Sequence, residues 1–569
     1  MIIGIDLGTT NSLVAFWRDG KANIIPNALG KHLTPSCVGI DDDGTVLVGE
    51  AARARLQTHP HLTAALFKRD MGSERKTTLG KQVFRPEELS SMVLRSLKED
   101  AENHLGHKVT EAIITVPAYF SDAQRKATRV AGQLAGLKVE RLLNEPTAAA
   151  LAYGIQDTQR ETKFLVFDLG GGTFDVSILE LFEGVMEVRA SAGDNFLGGE
   201  DFVTLLFDAF LVRSGMAKAM GGAELTGSQR QRLRDEAERA KRTLSDAPAA
   251  IMSFHYNGAD YTWEVTEEIL GNLCEPLMLR LRTPVERALR DATIKASELD
   301  SVVLAGGATR MPLVRKLASR MFGRFPMIHL DPDEAIALGA AVQAGLKMRD
   351  AALNEVVMTD VAPYSLGIAI ARQLGPNNYE GGHFLPIIER NSTVPVSRVE
   401  NVTTIGDFQK ELSVKVYQGE ARLVSDNIYL GTLTFPIPGK KAGEISADVR
   451  FTYDVSGVLE AEVTVQPTQE VHKLVITENA GVMTAAEIEK RLGELSELKI
   501  HPRDRIENRT LVAQADRLYE QLLGQEREYL AQYVATFQSV LDKQDPIATK
   551  RARESLVQAM RQLDGGNFL

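Results

Sequence analysis

Phe164-Leu165-Val166-Phe167-Asp168-Leu169-Gly170-Gly171-Gly172-Thr173-Phe174-Asp175 is an apolar run that stops at an acid and three consecutive glycines. The run suits a buried strand, and the turn after it suits a phosphate. Glycines reach positive φ without steric penalty and let backbone N–H groups approach an anion, while Thr173 adds a hydroxyl. The N-terminus echoes it: Met1-Ile2-Ile3-Gly4-Ile5-Asp6-Leu7-Gly8-Thr9-Thr10-Asn11-Ser12 repeats apolar strand, Asp-Leu-Gly, small residues and Thr. Two copies of one unit imply two lobes with a polyphosphate held between them. Asp6 and Asp168 fall where a carboxylate beside phosphates would hold a hydrated Mg²⁺. Read alone, Asp-Leu-Gly is also an ordinary strand exit, and the pairing of the two copies outweighs that reading. The pattern GxxxxGK[ST] occurs nowhere, so this is not a P-loop protein.

The 569 residues exceed one core and suggest three to five units at about 150 residues each. With 65 basic and 76 acidic residues the net charge is −11, which argues against a nucleic-acid binder. Cys37 and Cys274 are too few for a disulfide framework and fit a reducing compartment. Neither a signal peptide nor an apolar run of about 18 residues is seen, so the expectation is a cytoplasmic chain without a membrane partner.

Outward from the glycine turn, residues 1 to about 155 read as alternating strands and helices, which implies a mostly parallel sheet. Strand Ala112–Val116 is followed by Pro117, a helix capped near Ser121-Asp122 and a second helix opened by Glu145-Pro146. Downstream come Gly198-Gly199-Glu200, a charged helix around Gln229 to Leu244, and a third apolar run ending in Gly306-Gly307. That last pair is open to two readings, a tight strand-to-helix turn or a backbone approach to a nucleotide's sugar or α-phosphate. Beyond residue 354 the period becomes two: Leu412, Val414, Val416, then Ile445 to Tyr453 and Leu459 to Val465, the pattern of an antiparallel sandwich. Pro386, Pro395, Pro436 and Pro438 suit its edges and loops. From Thr484, with Glu487 placed as a capping-box partner, the period is helical again. Three stripes are expected as bundle seams: Leu511, Ala515, Leu518, Leu522; then Tyr529, Tyr533, Phe537, Val540; then Leu556, Met560, Leu563, with breaks at His501-Pro502 and Asp545-Pro546.

Five motifs in this order resemble the DnaK-type (heat shock protein seventy) chaperone family over essentially the whole chain: Gly4 to Ser12, Val116-Pro117-Ala118-Tyr119-Phe120, Asn144 to Ala150, Asp168 to Asp175 and Gly306 to Pro312. The resemblance implies a multidomain chain. An α/β actin-like two-lobed ATPase would occupy 1–353, a linker 354–360, an all-β sandwich for peptides 361–480 and a shortened α-helical lid 481–569. It implies an ATP-dependent chaperone that binds and releases extended hydrophobic segments of unfolded proteins, with ATP or ADP and Mg²⁺ as cofactors and K⁺ left open.

By matching position, Asp6 and Asp168 resemble the carboxylates that hold Mg²⁺ through water. Thr9, Thr10, Thr173 and the Gly170, Gly171, Gly172, Gly198 and Gly199 backbones resemble the phosphate cradle, with Gly8, Asn11 and Glu200 as further cofactor-binding positions. Lys68 resembles the catalytic lysine, and Glu145 the carboxylate that positions the attacking water; positioning and charge stabilisation are what phosphoryl transfer needs. Glu238, Lys241, Arg242 and Ser245 share one helix face and resemble the family's adenosine clamp, completed by Arg310 and Asp333, with Gly306 and Gly307 as further cofactor-binding positions. Pro117 and Arg125 resemble its switch pair, and Arg141 the position that receives a J-domain co-chaperone. Ile368, Val402, Leu412 and Val414 resemble the lining of the peptide channel, with Ala371 and Ile405 as its arch. Two or three leucine-sized client side chains would contribute about 3 to 9 kcal/mol on burial, leaving roughly micromolar binding after association costs.

Departures from the family pattern are visible. The linker reads Glu355-Val356-Val357-Met358-Thr359-Asp360, with Thr359 where the family has a third Leu. The stretch from Lys68 to Leu89 and the lid are short, which resembles the HscC-like bacterial branch. The sequence reads Asn567-Phe568-Leu569 at its C-terminal end, without the acidic tetrapeptide of eukaryotic relatives, so partners that read that tail are not expected. Clients, a J-domain protein and, left open, an exchange factor are the implied partners of a mostly monomeric chain. Two other classes share the actin-like core: a sugar or acetate kinase, and a filament-forming or scaffolding ATPase.

Overall fold

The computed structural model describes residues 1–41, 44–154, 162–182, 185–327, 330–350, 353, 357–375, 378–454, 457–466, 468–477, 506–544 and 546–563. It falls into two compact units, Met1–Ser365 with Glu389–Val394, and Leu366–Ile388 with Pro395–Leu569.

The first unit carries the duplication at the level of strand pairing. Strand Ile2–Asp6 pairs antiparallel with Asn11–Arg18 and parallel with Glu111–Val116, which pairs parallel with Lys138–Asn144. Strand Thr162–Leu169 likewise pairs antiparallel with Phe174–Phe182 and parallel with Ser301–Ala305. Both Asp-Leu-Gly turns thus leave equivalent central strands, where parallel neighbours require burial on both faces. One hydrophobic cluster, including Ile2, Ile113, Phe164 and Val303, joins the two sheets through helices Glu145–Gly154 and Ala335–Lys347. The helices approach closely because Gly339 has no side chain: a Cβ there would collide with the Ala148 carbonyl. The outer face of the first sheet packs on helices Pro86–Leu105 and Asp122–Leu134. That of the second packs on Gly199–Arg213, Gly227–Asp246, Glu267–Ala292 and Pro312–Phe322. Ser121 caps its helix by accepting from the Gln124 N–H, as its sequence position suggests.

Val357 and Met358, in the stretch expected from sequence as the linker, form a two-residue strand parallel to Val185 and Met186, which makes them the edge of the second sheet. Thr359 continues this pairing by donating its N–H to the Met186 carbonyl at 3.0 Å. Its hydroxyl is buried without a partner, where a leucine would leave no polar atom. Val356 and Glu355 lie outside the described residues.

In the second unit two four-stranded antiparallel sheets form the sandwich. Their orders are Asn378–Ile388, Leu366–Gly375, Glu411–Gln418, Ile428–Pro436, and Val396–Thr403, Ser446–Tyr453, Val458–Gln466, Glu470–Thr477. Ala447, Val449, Phe451, Ala461, Val463 and Val465 are buried, as the period of two demands. Pro386 sits in an edge strand and Pro436 closes another, where a missing N–H costs no ladder bond.

Helices Ile506–Gln521, Gly524–Asp542 and Pro546–Leu563 share one cluster. The outer seams match the sequence stripes, but the middle one is shifted: Leu530, Phe537 and Leu541 are buried there, while Tyr529 is exposed and Val540 half-buried. The aromatic run hid this, because Leu530 and Leu541 share the face of Phe537 (i, i+7 and i+4) whereas Tyr529 lies about a quarter-turn away. The Thr484–Glu487 box, His501-Pro502 and Asp545 lie outside the described residues. No helix among the described residues is long and apolar enough to cross a membrane.

Candidate functional site

A cavity of about 860 Å³ opens between the two lobes of the first unit, within the usual range for a small-molecule site. Its walls are the turns singled out from sequence, and they interlock. A Cβ on Gly171 would run into the Thr10 hydroxyl, one on Gly172 into Thr9, and one on Gly198 into the Gly171 backbone. The Gly199 and Glu200 N–H groups donate to the Gly170 and Gly171 carbonyls, both at 2.9 Å. Gly306 adopts φ 78°, and a Cβ there would strike the Leu169 carbonyl, so only glycine lets the third turn close against the triple-glycine strand.

Behind the turns lies an unusual concentration of buried charge. Asp6, Asp168, Asp175, Glu145 and Lys68 are all under a tenth exposed. Lys68 donates to Glu145 at 2.7 Å, and Asp6 accepts from the Thr115 hydroxyl at 3.0 Å. Asp175 accepts from the Tyr119 N–H at 3.1 Å, while Asp168 Oδ2 has no partner. Burial, then the charge of Glu145, raises Asp6 to about 7 and Asp175 to about 8. The same two causes, in the same order, hold Asp168 well above the usual carboxylate range.

Four carboxylates facing one lysine form a site short of positive charge, and this fits a cation. Of these carboxylates Asp6, Asp168 and Glu145 line the cavity, and among the described residues no group of three or more His, Cys, Asp or Glu is arranged to hold a metal ion directly. The unpartnered Asp168 Oδ2 and Thr10 hydroxyl are the atoms such an ion and its phosphates would satisfy.

The residues assigned from sequence to turns, carboxylates, lysine and clamp all line this cavity, except Gly172 and Gly198, which stand behind it. In the clamp, Glu238 bridges Lys241 and Arg242, each at 2.6 Å, and Arg310 pairs with Asp333 at 2.8 Å and also with Asp331. Sequence reading missed Asp331, and also His32 and Glu334, which pair at 2.6 Å at the cavity.

A second network leads away from the site. Arg125 donates to the Ala118 and Phe120 carbonyls and, at 2.7 Å, to Asn144 Oδ1; Asn144 in turn donates to Asp360 at 2.8 Å. Asn144 immediately precedes Glu145, so one strand end touches both the lysine pair and Asp360. Pro117 lies between the strand ending at Val116 and the helix holding Arg125. Arg141 is half-buried and donates to Gln343 at 3.2 Å; burial pulls its guanidinium down, opposed by Asp360.

In the second unit Ile368 and Val414 are buried on neighbouring strands, with Ile368 opposite Val416. Val402 and Leu412 are half-buried, Ala371 is half-buried on the strand of Ile368, and Ile405 is 45% exposed.

A two-lobed ATPase with duplicated phosphate turns, followed by a β-sandwich and a helical segment, is the architecture of one chaperone class. The chain matches the Hsp70 protein family over residues 2–78 and 74–566. It is 40% identical over 489 residues to the chaperone protein DnaK of Thermotoga petrophila, covering 84% of this chain and 80% of that one. The chaperone protein DnaK of Thermotoga maritima and that of Thermotoga neapolitana match to the same extent. The chain belongs to the Hsp70 family. It is an ATP-dependent molecular chaperone and an ATP hydrolase, and the kinase and scaffold readings are not favoured.

Proposed function

We propose that this chain hydrolyses ATP in the cavity between the glycine turns and uses it to control capture of extended apolar segments by the sandwich. The observation that carries the reading is the buried Lys68–Glu145 pair set among Asp6, Asp168 and Thr173. A hydrated Mg²⁺ would neutralise phosphate charge there when bound. Asp6 and Asp168 would hold it through its water, and the turn N–H groups would hold the phosphate oxygens. Lys68 lends positive charge where charge develops, while Glu145 orients a water. The helix Gly227–Asp246 and Arg310 grip the adenosine through Glu238, Lys241, Arg242 and Ser245.

The chain Arg125–Asn144–Asp360 supports a role for Pro117 and Arg125 in reporting the nucleotide to the linker, where Val356, Val357, Met358 and Asp360 receive it. Ile368, Val402, Leu412 and Val414 hold client side chains, with Ala371 and Ile405 above them. A J-domain protein is the proposed partner near Arg141, a branch of the HscC-like type the proposed lineage, and the cytoplasm the proposed compartment.

The test is steady-state ATP turnover by the purified chain. Slow turnover alone that rises with an unfolded peptide and a J-domain protein supports the reading. Fast turnover dependent on a small-molecule acceptor, or concentration-dependent light scattering with ATP, overturns it.

A further inference from the structure

Tyr119, in the segment after Pro117, is clamped on every polar atom it has. Its N–H donates to Asp175 at 3.1 Å. Its carbonyl accepts from Asn195 at 2.8 Å and from the Tyr364 phenol at 2.8 Å. Its own phenol accepts from Arg287 at 2.8 Å, and the same guanidinium lies 5.5 Å from its ring centroid. The Tyr119 and Tyr364 rings are 4.6 Å apart at 43°, a tilted aromatic pair.

These contacts come from places with different duties. Asp175 is two residues beyond Thr173 and sits opposite Asp168 in the strand register. Asn195 begins the loop that delivers Gly198 and Gly199 to the phosphate turn. Tyr364 lies four residues past Asp360, on the segment that leaves the linker strand, and is held there as Ala362 donates to the Ser392 carbonyl. The strand that leaves the triple-glycine turn, the loop that leads to Gly198 and Gly199, and the linker exit therefore meet on one backbone unit. Burial, with Tyr119 and Asp175 close by, keeps the Tyr364 phenol protonated well above its usual range, so it remains a donor.

We infer that Tyr364 is a positioning residue: its hydroxyl, bonded to the Tyr119 carbonyl, latches the linker exit to the segments that carry Thr173 and Gly198 and makes peptide release answer to bound ATP. The inference rests on the nucleotide-controlled peptide capture proposed above and names the contact that transmits it. The Arg125–Asn144–Asp360 chain reaches the linker from the Glu145 side; Tyr364 reaches it from the Thr173 and Gly198 side. A phenylalanine keeps the ring pair and loses only the donor, which makes the hydroxyl separable from packing.

The experiment is dissociation of a fluorescent leucine-rich peptide from the full chain, with and without ATP and Mg²⁺, in wild type and Tyr364→Phe, together with hydrogen exchange at residues 117–120. One neutral hydrogen bond predicts that ATP acceleration drops by about fivefold in the variant. Amide exchange at Tyr119 should quicken, with ATP affinity and nucleotide-free peptide affinity within about twofold of wild type. Wild-type acceleration in Tyr364→Phe overturns the latch alone. Loss of acceleration together with ATP affinity also overturns it, since general damage then explains the result. A wild-type chain whose peptide release ignores ATP overturns both the latch and the coupling it rests on.

Discussion

Lys68 Nζ lies 2.7 Å from Glu145 Oε1, and both side chains are almost wholly out of water, 3% and 7% exposed. They are 77 residues apart in sequence, on a short 3₁₀ turn and on the first residue of a helix. A buried pair is justified less by its own net energy than by what happens when one member is removed. Lys68→Ala leaves Glu145 uncompensated beside three further carboxylates, at a cost of about 3 to 5 kcal/mol. ATP hydrolysis should also fall by roughly a hundredfold or more in single turnover. Lys68→Ala combined with Glu145→Gln should be the more stable of the two variants in urea unfolding. A double variant less stable than the single would show that the pair does not act as a unit.

Thr173 lines the cavity at the end of the triple-glycine turn. Thr173→Ala should keep nucleotide binding and lose most hydrolysis together with coupling to peptide release. Nucleotide titration beside single-turnover hydrolysis separates the two, and normal turnover removes Thr173 from the catalytic set.

The buried aspartates give a pH signature to the nucleotide-free chain. Asp6 titrates near 7 when folded instead of 3.8, and Asp175 near 8. Between about pH 4 and pH 8 the folded chain holds protons that the unfolded chain has released, so these groups lower stability as pH rises through that window. Asp6→Asn should flatten the fall of melting temperature between pH 5.5 and 8. Because a cation needs the ionised carboxylates, Mg²⁺ with ADP should raise the melting temperature more at pH 8 than at pH 5.5. Equal slopes in the variant and wild type would mean that Asp6 does not titrate in this range.

Much of this site is written in the chain because glycine and acid at a strand end have few other uses in such a pattern. The Asp6 and Asp168 turns, the sandwich alternation and the outer helical seams follow from local spacing. Lys68 does not: its burial depends on Glu145 approaching from a distant helix, and only family likeness marked it. Tyr119, Asn144 and Tyr364 carry no periodic signal, since their partners come from segments up to 245 residues away. Leu530 was missed for a local reason, as the neighbouring tyrosines can reach water with their hydroxyls and leucine cannot.

Leu412 is half-buried on the strand Glu411–Gln418, beside the buried Val414. A polar replacement there, or Leu412→Phe, should weaken peptide capture by about tenfold, the loss expected for one apolar side-chain contact, and leave basal ATP turnover unchanged. Fluorescence anisotropy with a labelled peptide measures it. Unchanged peptide affinity would move the binding channel to another part of the sandwich.

The most direct test of the central claim is the rate at which a fluorescent leucine-rich peptide leaves the wild-type chain after ATP and Mg²⁺ are added. Release several-fold faster than without nucleotide is the predicted result, since Val357 to Thr359 pair with the ATPase sheet and Asp360 bonds to Asn144 beside Glu145. Release at the same rate with and without ATP would contradict it.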